Sequence, residues 1–260
     1  MMSRIYVLKI GGSIIENDDK LDHFLENFSK IEHPTVLVHG GGKIASQVAD
    51  KLGFASKMVE GRRVTDDDML DIVTMTYGGL VNKKLVARLQ SRNMNAIGLT
   101  GADGNLIRSV KRPVENGVDY GWVGKPVKVN ATLLSRLIHD GYTPVIAPLT
   151  HDQEGQLFNT NADTMANAIS SALVDFFEVH TVFCFELAGV LRDIEDEGSI
   201  IRTINQKSFA DLKADKVIHS GMIPKLENAL LAIASGVKTV RIMNYKDISR
   251  LDSDAGTIIS

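Results

Sequence analysis

The chain has 260 residues, which is long enough to bury a sizeable core as one large domain or as two lobes. Its formal net charge is −3 and 23% of its residues are charged, so it has no strongly basic character and nucleic-acid binding is a poor expectation. Its single cysteine rules out an internal disulfide, and no apolar run approaches the roughly 20 residues of a membrane-spanning helix, so we expect a cytoplasmic protein without a membrane partner.

Two short apolar runs near the N-terminus each end in glycines. Residues 5–10 and 35–38 are predicted to be buried strands, the first followed by Gly11-Gly12 and the second by a triple-glycine loop at residues 40–42. A helix over residues 43–53 follows the second loop. Backbone N–H groups of such loops can approach a ligand closely, and a helix N-terminus favours an anion. Because the carboxyl ends of parallel strands share one sheet edge, we expect both loops to border one anion site.

Strands and helices alternate along the rest of the chain. Further strands are predicted over 96–100, 143–147, 181–185, 237–243 and 257–259, further helices over about 20–30, 65–92, 131–140, 162–173, 205–214 and 222–235, and a β-hairpin over 106–112 and 118–129. This alternation predicts an α/β fold with a mainly parallel sheet covered on both sides. The best boundary lies near residue 175, which gives an N-terminal lobe of residues 1–175 and a C-terminal lobe of residues 176–260.

The long helix predicted over residues 65–92 has two unusual features. We expect Thr65 to cap it, and three acidic residues at 66–68 lie in its first turn, where carboxylates favour the helix dipole and indicate capping rather than a metal site. Gly78-Gly79 in its middle costs about 1 kcal/mol per residue relative to alanine. We therefore expect close packing there, against another subunit for example.

Four charged side chains stand out by their positions. Lys9 interrupts the first apolar strand directly before its glycines, so we expect it to serve the anion site rather than to point to water. Lys225 lies in the first turn of a helix, where lysines are usually exposed, so its position alone indicates little. Asp163 could be a capping carboxylate or could hold two lysines in place. Arg63 could bind a carboxylate through two parallel hydrogen bonds or could lie on the surface.

The remaining polar candidates are amides and histidines. Asn161 can cap a helix, and Asn159 and Asn161 could both donate hydrogen bonds to a ligand carboxylate. The seven histidines show no metal-ligand spacing, and we expect His39, beside the triple glycine, to be structural. The phosphate-loop motif is absent, and a loose dinucleotide fingerprint at residues 40–45 is weak because its expected acid, Glu60, falls in a turn.

Six short motifs occur in the order found in the amino acid kinase family, and the chain resembles that family over essentially its whole length. They are Lys9-Ile-Gly-Gly12, Val38-His-Gly-Gly-Gly42, Gly61-Arg-Arg-Val-Thr65, Leu99-Thr-Gly-Ala-Asp-Gly-Asn-Leu106, Asn159-Thr-Asn-Ala-Asp163 and Gly221-Met-Ile-Pro-Lys225. Each motif alone is weak, but six in order are specific. The third and fifth resemble the branch that acts on N-acylated glutamate rather than the uridylate, carbamate and aspartate kinases.

The resemblance implies an open three-layer αβα sandwich of about eight strands, with an N-terminal lobe for the acylated glutamate and dimerisation and a C-terminal lobe for ATP. It implies that ATP phosphorylates the side-chain carboxylate of N-acetylglutamate or N-succinylglutamate, an early step of arginine biosynthesis, with Mg²⁺ held mainly by the phosphates. By position it assigns catalysis to Lys9, Asp163 and Lys225, substrate binding to Gly41, Gly42, Arg63, Asn159 and Asn161, and phosphate or ATP binding to Gly11, Gly12, Glu186, Gly189, Val190, Leu191, Val217, Ile218 and His219.

The chain departs from the family pattern at a few positions. Glu186 stands where an aspartate is usual, Phe185 where a small polar residue is common, and His219-Ser220 replaces a more usual pair, which affects nucleotide contacts rather than the reaction type. The chain begins directly at its first strand, without the N-terminal helix of arginine-inhibited hexamers, so we expect a homodimer without arginine feedback. The alternatives are another kinase of this fold, such as a uridylate kinase, and a non-catalytic small-molecule sensor.

Overall fold

The computed structural model describes residues 2–59, 61–215, 217–218 and 222–260. Its strands are β1 (Arg4–Ile10), β2 (Thr35–His39), β3 (Met58–Val59), β4 (Arg62–Arg63), β5 (Ala96–Leu99), β6 (Ile107–Lys111), β7 (Gly124–Val129), β8 (Thr143–Ile146), β9 (Leu149–His151), β10 (Leu157–Asn159), β11 (Glu178–Phe185), β12 (Thr203–Ile204), β13 (Thr239–Asn244) and β14 (Thr257–Ile259). Its α-helices are α1 (Gly12–Ile15), α2 (Asp18–Phe28), α3 (Gly42–Lys51), α4 (Asp67–Val73), α5 (Asn82–Gln90), α6 (Ala131–His139), α7 (Ala162–Leu173), α8 (Gln206–Ala214) and α9 (Ile223–Ala234).

An eight-stranded sheet forms the centre of the molecule, in the order β12-β14-β13-β11-β1-β2-β8-β5. In that order, the strands from β13 to β5 run parallel to one another. Strand β14 runs antiparallel to β13, and β12 runs parallel to β14. The prediction of an α/β fold with a mainly parallel sheet is therefore confirmed. None of the helices that the described residues form has the length and apolar character needed to cross a membrane.

Helices cover both faces of this sheet. Successive side chains of a strand point to opposite faces, and in β1 the side chains of Ile5 and Val7 enter one apolar core while those of Leu8 and Ile10 enter the other. The first core contains side chains from α7 and α9, and the second contains side chains from α2 and α5. This three-layer αβα arrangement explains why β1 and β2 read as almost continuous apolar runs.

The parallel register places the ends of β1, β2 and β11 side by side. Lys9 lies opposite Val38 on one neighbouring strand and Phe183 on the other, so both glycine turns leave the same edge of the sheet. Every residue of β1 pairs with a residue of β11. One sheet thus continues across the boundary expected near residue 175, and the division into two lobes stays a prediction.

A smaller four-stranded sheet, in the order β10-β9-β6-β7, lies beside the central one. Its antiparallel pair β6 and β7 confirms the predicted hairpin, but the addition of β9 and β10 was not predicted. Two short strands were missed because they are only three residues each. This sheet matters for function because its strand β10 ends at Asn159, directly before α7.

The long helix expected over residues 65–92 is instead three consecutive segments: α4, a π-helix at Thr74–Val81 that contains both glycines, and α5. The N-cap is Asp66, whose side chain accepts a hydrogen bond from the N–H of Met69 at 2.9 Å. The expectation that Thr65 caps this helix was wrong, because the Thr65 backbone pairs with the segment Tyr120–Gly121. The described residues contain no acidic, histidine or cysteine cluster able to hold a metal ion.

Gly121 should be the least replaceable glycine of the β6–β7 connection. Its φ of +69° is strained for other residues, and an added Cβ would lie far inside 3.0 Å of the Thr65 carbonyl oxygen, which belongs to a paired backbone. Gly117, in the same connection, has a φ of +77° but nothing within 4 Å of an added Cβ. We expect Gly121→Ala to lower the free energy of unfolding by several kcal/mol and Gly117→Ala by about 1 kcal/mol, as measured by urea denaturation. Equal losses in the two variants would contradict this account.

Candidate active site

The two glycine turns touch each other at the edge of the central sheet. The Gly40 N–H donates to the carbonyl of Ile10 at 3.1 Å, and an added Cβ on Gly40 would lie 3.6 Å from the Gly12 nitrogen. Gly41 packs against Tyr77, whose ring would lie 3.0 Å from an added Cβ. Burial raises the pKa of Tyr77, so this wall of the turn is a neutral phenol. A ligand beside the triple-glycine turn would therefore meet backbone groups rather than side chains.

Lys9 and Asp163 form an ion pair beside these turns. The Lys9 ammonium lies 2.7 Å from Asp163 Oδ1, and Lys9 is only 8% exposed. Asp163 is in the first turn of α7, which Asn161 caps by accepting the N–H of Thr164 at 3.0 Å. Asn161 is thus the capping residue that the sequence predicted. Asp163 is left to pair with Lys9.

Lys225 approaches the same place from the start of α9. Its ammonium lies 4.2 Å from the centre of the Phe185 ring, and the Lys9 ammonium lies 5.8 Å from the same ring centre. Burial lowers the pKa of Lys225, the charge of Asp163 acts in the opposite sense, and the charge of Lys9 lowers it further. Two lysines that are 216 positions apart in the chain (225 − 9) therefore lie close enough for their charges to interact.

Arg63 is buried against the triple-glycine turn. Its Nη2 donates to the carbonyl of Gly42 and to Ser46 Oγ, each at 2.7 Å, and its Nη1 donates to Ser56 Oγ at 2.7 Å. Among the residues described, no carboxylate forms an ion pair with this guanidinium, so its charge is available to an anion. Arg63 also lines the adjoining cavity, and its role in substrate binding stays a prediction.

Asn159 is buried at the end of β10. Its Nδ2 donates to Thr65 Oγ1 at 3.0 Å, and its backbone N–H donates to the carbonyl of Trp122. The side chain therefore joins the four-stranded sheet to the segment that holds Arg63. Its Oδ1 remains available to accept a hydrogen bond from a ligand amide.

These residues border two cavities that meet at Asp163. The first has a volume of about 260 Å³ and is walled by Lys9, Gly12, the triple glycine at 40–42, Arg63 and Asn159, whereas Gly11 does not line it. The second has a volume of about 810 Å³ and is walled by Phe185, Lys225 and neighbours that include Asn167 and Asn228. Five residues line both cavities, namely Gly61, Arg62, Asn161, Asp163 and Thr164.

The first cavity is strongly cationic. The charged side chains on its described wall are five cations and one acid, namely Lys9, Arg62, Arg63, Arg112, Lys125 and Asp163. An occupant with several negative charges is therefore favoured. Tyr77, Arg112 and Lys125 were not predicted to belong to the site, because nothing in their local sequence shows that the strands β6 and β7 and the π-helix reach this cavity.

Beyond the glycine turns, the described residues that were expected to contact the nucleotide do not line the two cavities. Glu186 pairs with Lys20, which lowers the pKa of its carboxyl group, and its backbone carbonyl accepts from Asn244. Val190, Leu191 and Ile218 are buried, and Gly189 packs against Thr257. None of these lines either cavity. Val217 is only partly buried against the core, and His219 lies outside the described residues, so the nucleotide contacts stay predictions.

Comparison with known proteins agrees with this arrangement. A family model described as the amino acid kinase family matches residues 4–244. A protein named acetylglutamate kinase from Cytophaga hutchinsonii is 50% identical over 257 residues, covering 99% of this chain and 97% of that protein. Its namesake from Bacteroides fragilis is 52% identical over 259 residues, covering 100% and 98%. Among solved structures, smu.665 from Streptococcus mutans UA159 has a TM-score of 0.77 and 27% identity, with 98% of each chain covered.

The matched span contains the features that the geometry brings together, which are the two glycine turns, both lysines and Asp163. The resemblance inferred from six motifs is thereby confirmed at the level of the whole chain. The chain belongs to the amino acid kinase family.

Proposed function

We propose that the protein transfers the γ-phosphoryl group of ATP to the side-chain carboxylate of N-acetylglutamate, giving an acyl phosphate and ADP. The observation that carries this proposal is the junction of a small cationic cavity with a larger one at Asp163, with one lysine on each side. The relatives named acetylglutamate kinase support N-acetylglutamate as the acceptor. Arginine biosynthesis is the pathway that we propose for this step.

The chemistry requires charge neutralisation more than proton transfer. A γ-carboxylate is already ionised at pH 7 and needs no general base to attack phosphorus. Its oxygen forms a new bond to the γ-phosphorus while the bond to the β,γ-bridging oxygen breaks and ADP leaves. Nucleophile and triphosphate are both anions, so their approach must be offset by positive charge and by correct positioning.

The described residues supply that offset. Lys9 and Lys225 place two ammonium groups beside the phosphoryl group in transfer, and Asp163 holds Lys9 in place through their ion pair. Backbone N–H groups of Gly12 and Gly42 bind phosphate oxygens at the starts of α1 and α3. Arg63 and Asn159 hold the α-carboxylate and the acyl amide of the acceptor.

The donor set also fits a Mg²⁺ ion that arrives with ATP. Asp163 is the one carboxylate among the described residues that line either cavity, and Mg²⁺ is commonly held by phosphates and water with one or two carboxylates. Such an ion would neutralise phosphate charge. The lysines, the glycine turns and Asp163 would still do the positioning.

The activity is tested by trapping acyl phosphate with hydroxylamine in the presence of ATP. We expect hydroxamate to form with N-acetylglutamate, to form weakly or not at all with glutamate, and to be absent with UMP. N-Succinylglutamate is run in parallel, because it adds one carboxylate to the acyl group. A signal with neither acylated glutamate would overturn the proposed function.

Replacement of Lys225 separates catalysis from binding. We expect Lys225→Ala to lower kcat by at least about 100-fold, the size of effect seen when an electrostatic stabiliser is removed, while N-acetylglutamate binding measured by calorimetry changes little. Because burial lowers the pKa of Lys225, the wild-type rate should fall as pH rises through that lowered value, and Lys225→Arg should abolish the fall. Lys246→Ala is the control, since Lys246 is exposed and contacts the ring of Tyr245 outside both cavities. A near-normal rate for Lys225→Ala would remove this residue from the catalytic role.

We also propose a homodimer built on the π-helix. Met75 is 55% exposed and Leu80 is 41% exposed there, and nothing lies within 4 Å of an added Cβ on Gly79, so a second copy could approach closely. Sedimentation should give the mass of two chains, and Leu80→Glu together with Met75→Glu should give the mass of one. A mass of six chains, or an unchanged dimer in the double variant, would contradict this interface.

A further inference from the structure

A buried chain of hydrogen bonds leads from α5 to the triple-glycine turn. Asn82 Nδ2 donates to the carbonyl of Val145 at 2.9 Å and lies 3.1 Å from His39 Nε2, and His39 Nδ1 lies 2.8 Å from the carbonyl oxygen of Gly40. His39 is fully buried, and Asn82 is 1% exposed. Neither side chain lines either of the two cavities of the site, so neither is placed to touch the substrate.

The partners fix which atom carries each hydrogen. A carbonyl oxygen can only accept, so His39 Nδ1 carries the proton that bonds to Gly40. The Val145 carbonyl also can only accept, so the Asn82 side chain must turn its nitrogen, Nδ2, towards it. The same nitrogen lies beside His39 Nε2, and Asn82 therefore donates to that atom. Burial lowers the pKa of His39 to about 4, and the imidazole therefore stays neutral at physiological pH, with one nitrogen donating and the other accepting.

The consequence for the turn follows from peptide geometry. The Gly40 carbonyl and the Gly41 N–H belong to one trans peptide unit and point in opposite directions. A bond that draws the Gly40 oxygen towards buried His39 therefore directs the Gly41 N–H away from the interior. Gly41 lines the first cavity, and among the described residues nothing accepts a hydrogen bond from its N–H.

The other two carbonyl groups of the triple-glycine turn also accept hydrogen bonds from protein donors. The Gly41 oxygen accepts the Ala45 N–H at 2.9 Å, and the Gly42 oxygen accepts from Arg63 at 2.7 Å. All three carbonyl groups are thus occupied by protein donors, while the N–H groups of Gly41 and Gly42 are left to the cavity. Glycine gives this segment many alternative conformations, so the orientation depends on these bonds.

We propose that His39, oriented by Asn82, is a positioning residue that fixes the Gly40–Gly41 peptide so that the Gly41 N–H donates to the phosphoryl group in transfer. The role rests on the proposed phosphoryl transfer. In this role, His39 holds a backbone N–H donor in advance at the position where negative charge is stabilised in the transition state.

The structure also shows what keeps Asn82 in place. It is the first residue of α5, directly after the π-helix. Its Oδ1 packs so closely on β5 that an added Cβ on Gly98 would lie far inside 3.0 Å of it. The π-helix, the glycine of β5 and the strand β8 together therefore determine where Asn82 donates.

The test compares His39→Leu with His39→Asn. Leucine removes the donor, whereas the amide nitrogen of asparagine occupies nearly the place of the imidazole Nδ1 and can still donate to the Gly40 carbonyl. We expect His39→Leu to lower kcat about 10- to 100-fold, less than the full loss of an oxyanion donor, and to weaken binding of ADP with aluminium fluoride, a mimic of the transferring phosphoryl group, by a similar factor. N-Acetylglutamate binding by calorimetry should change less than threefold, and His39→Asn should recover most of the loss.

Each other result counts against the proposal. A normal kcat in His39→Leu, an equal loss in both variants, or a parallel loss of N-acetylglutamate binding would show that His39 only supports packing. If His39→Leu does not fold, Asn82→Ala takes its place and must show the same split between kcat and acceptor binding. An inactive wild-type protein would instead refute the proposed function, so the two failures are distinguishable.

Discussion

The site depends on one constraint, which is that a buried lysine near the carboxyl end of a strand must have a partner. Leaving the buried Lys9 ammonium without a partner would destabilise the fold, because burying an unpaired ion is costly. Asp163 meets that need from the first turn of α7, and the ion pair thereby fixes the end of α7 against the end of β1. Both cavities are bounded by that helix end, so their junction is set by the same contact.

Backbone groups complement the charged side chains. Around the triple glycine the carbonyl groups bind protein donors from β2, α3 and Arg63, and this leaves N–H groups facing the cationic cavity. A lysine brings a mobile charge, whereas a fixed N–H brings a direction. The combination suits a reaction whose main difficulty is to bring two anions together in line.

Local patterns were sufficient for the parts of the fold that depend on local physics. Apolar runs ending in glycine predicted β1, β2 and their shared edge, and a charge inside an apolar run was enough to single out Lys9. The π-helix was missed because it spans only eight residues between two α-helical segments, which is too few for a separate apolar period to show in the sequence. The Asn159–Thr65 bond, the second sheet and the Glu186–Lys20 pair join residues far apart in the chain, and only tertiary packing decides such pairings.

Cys184, the only cysteine of the chain, lies within β11 and is completely buried, and burial raises the pKa of its thiol to about 12. Thiolate is the reactive form towards maleimides and iodoacetamides, so this sulfur is inert to them while the sheet is intact. A fluorophore or spin label can therefore be attached at an engineered surface cysteine without removing the native one. Reactivity of Cys184 itself would report loss of the β1–β11 pairing.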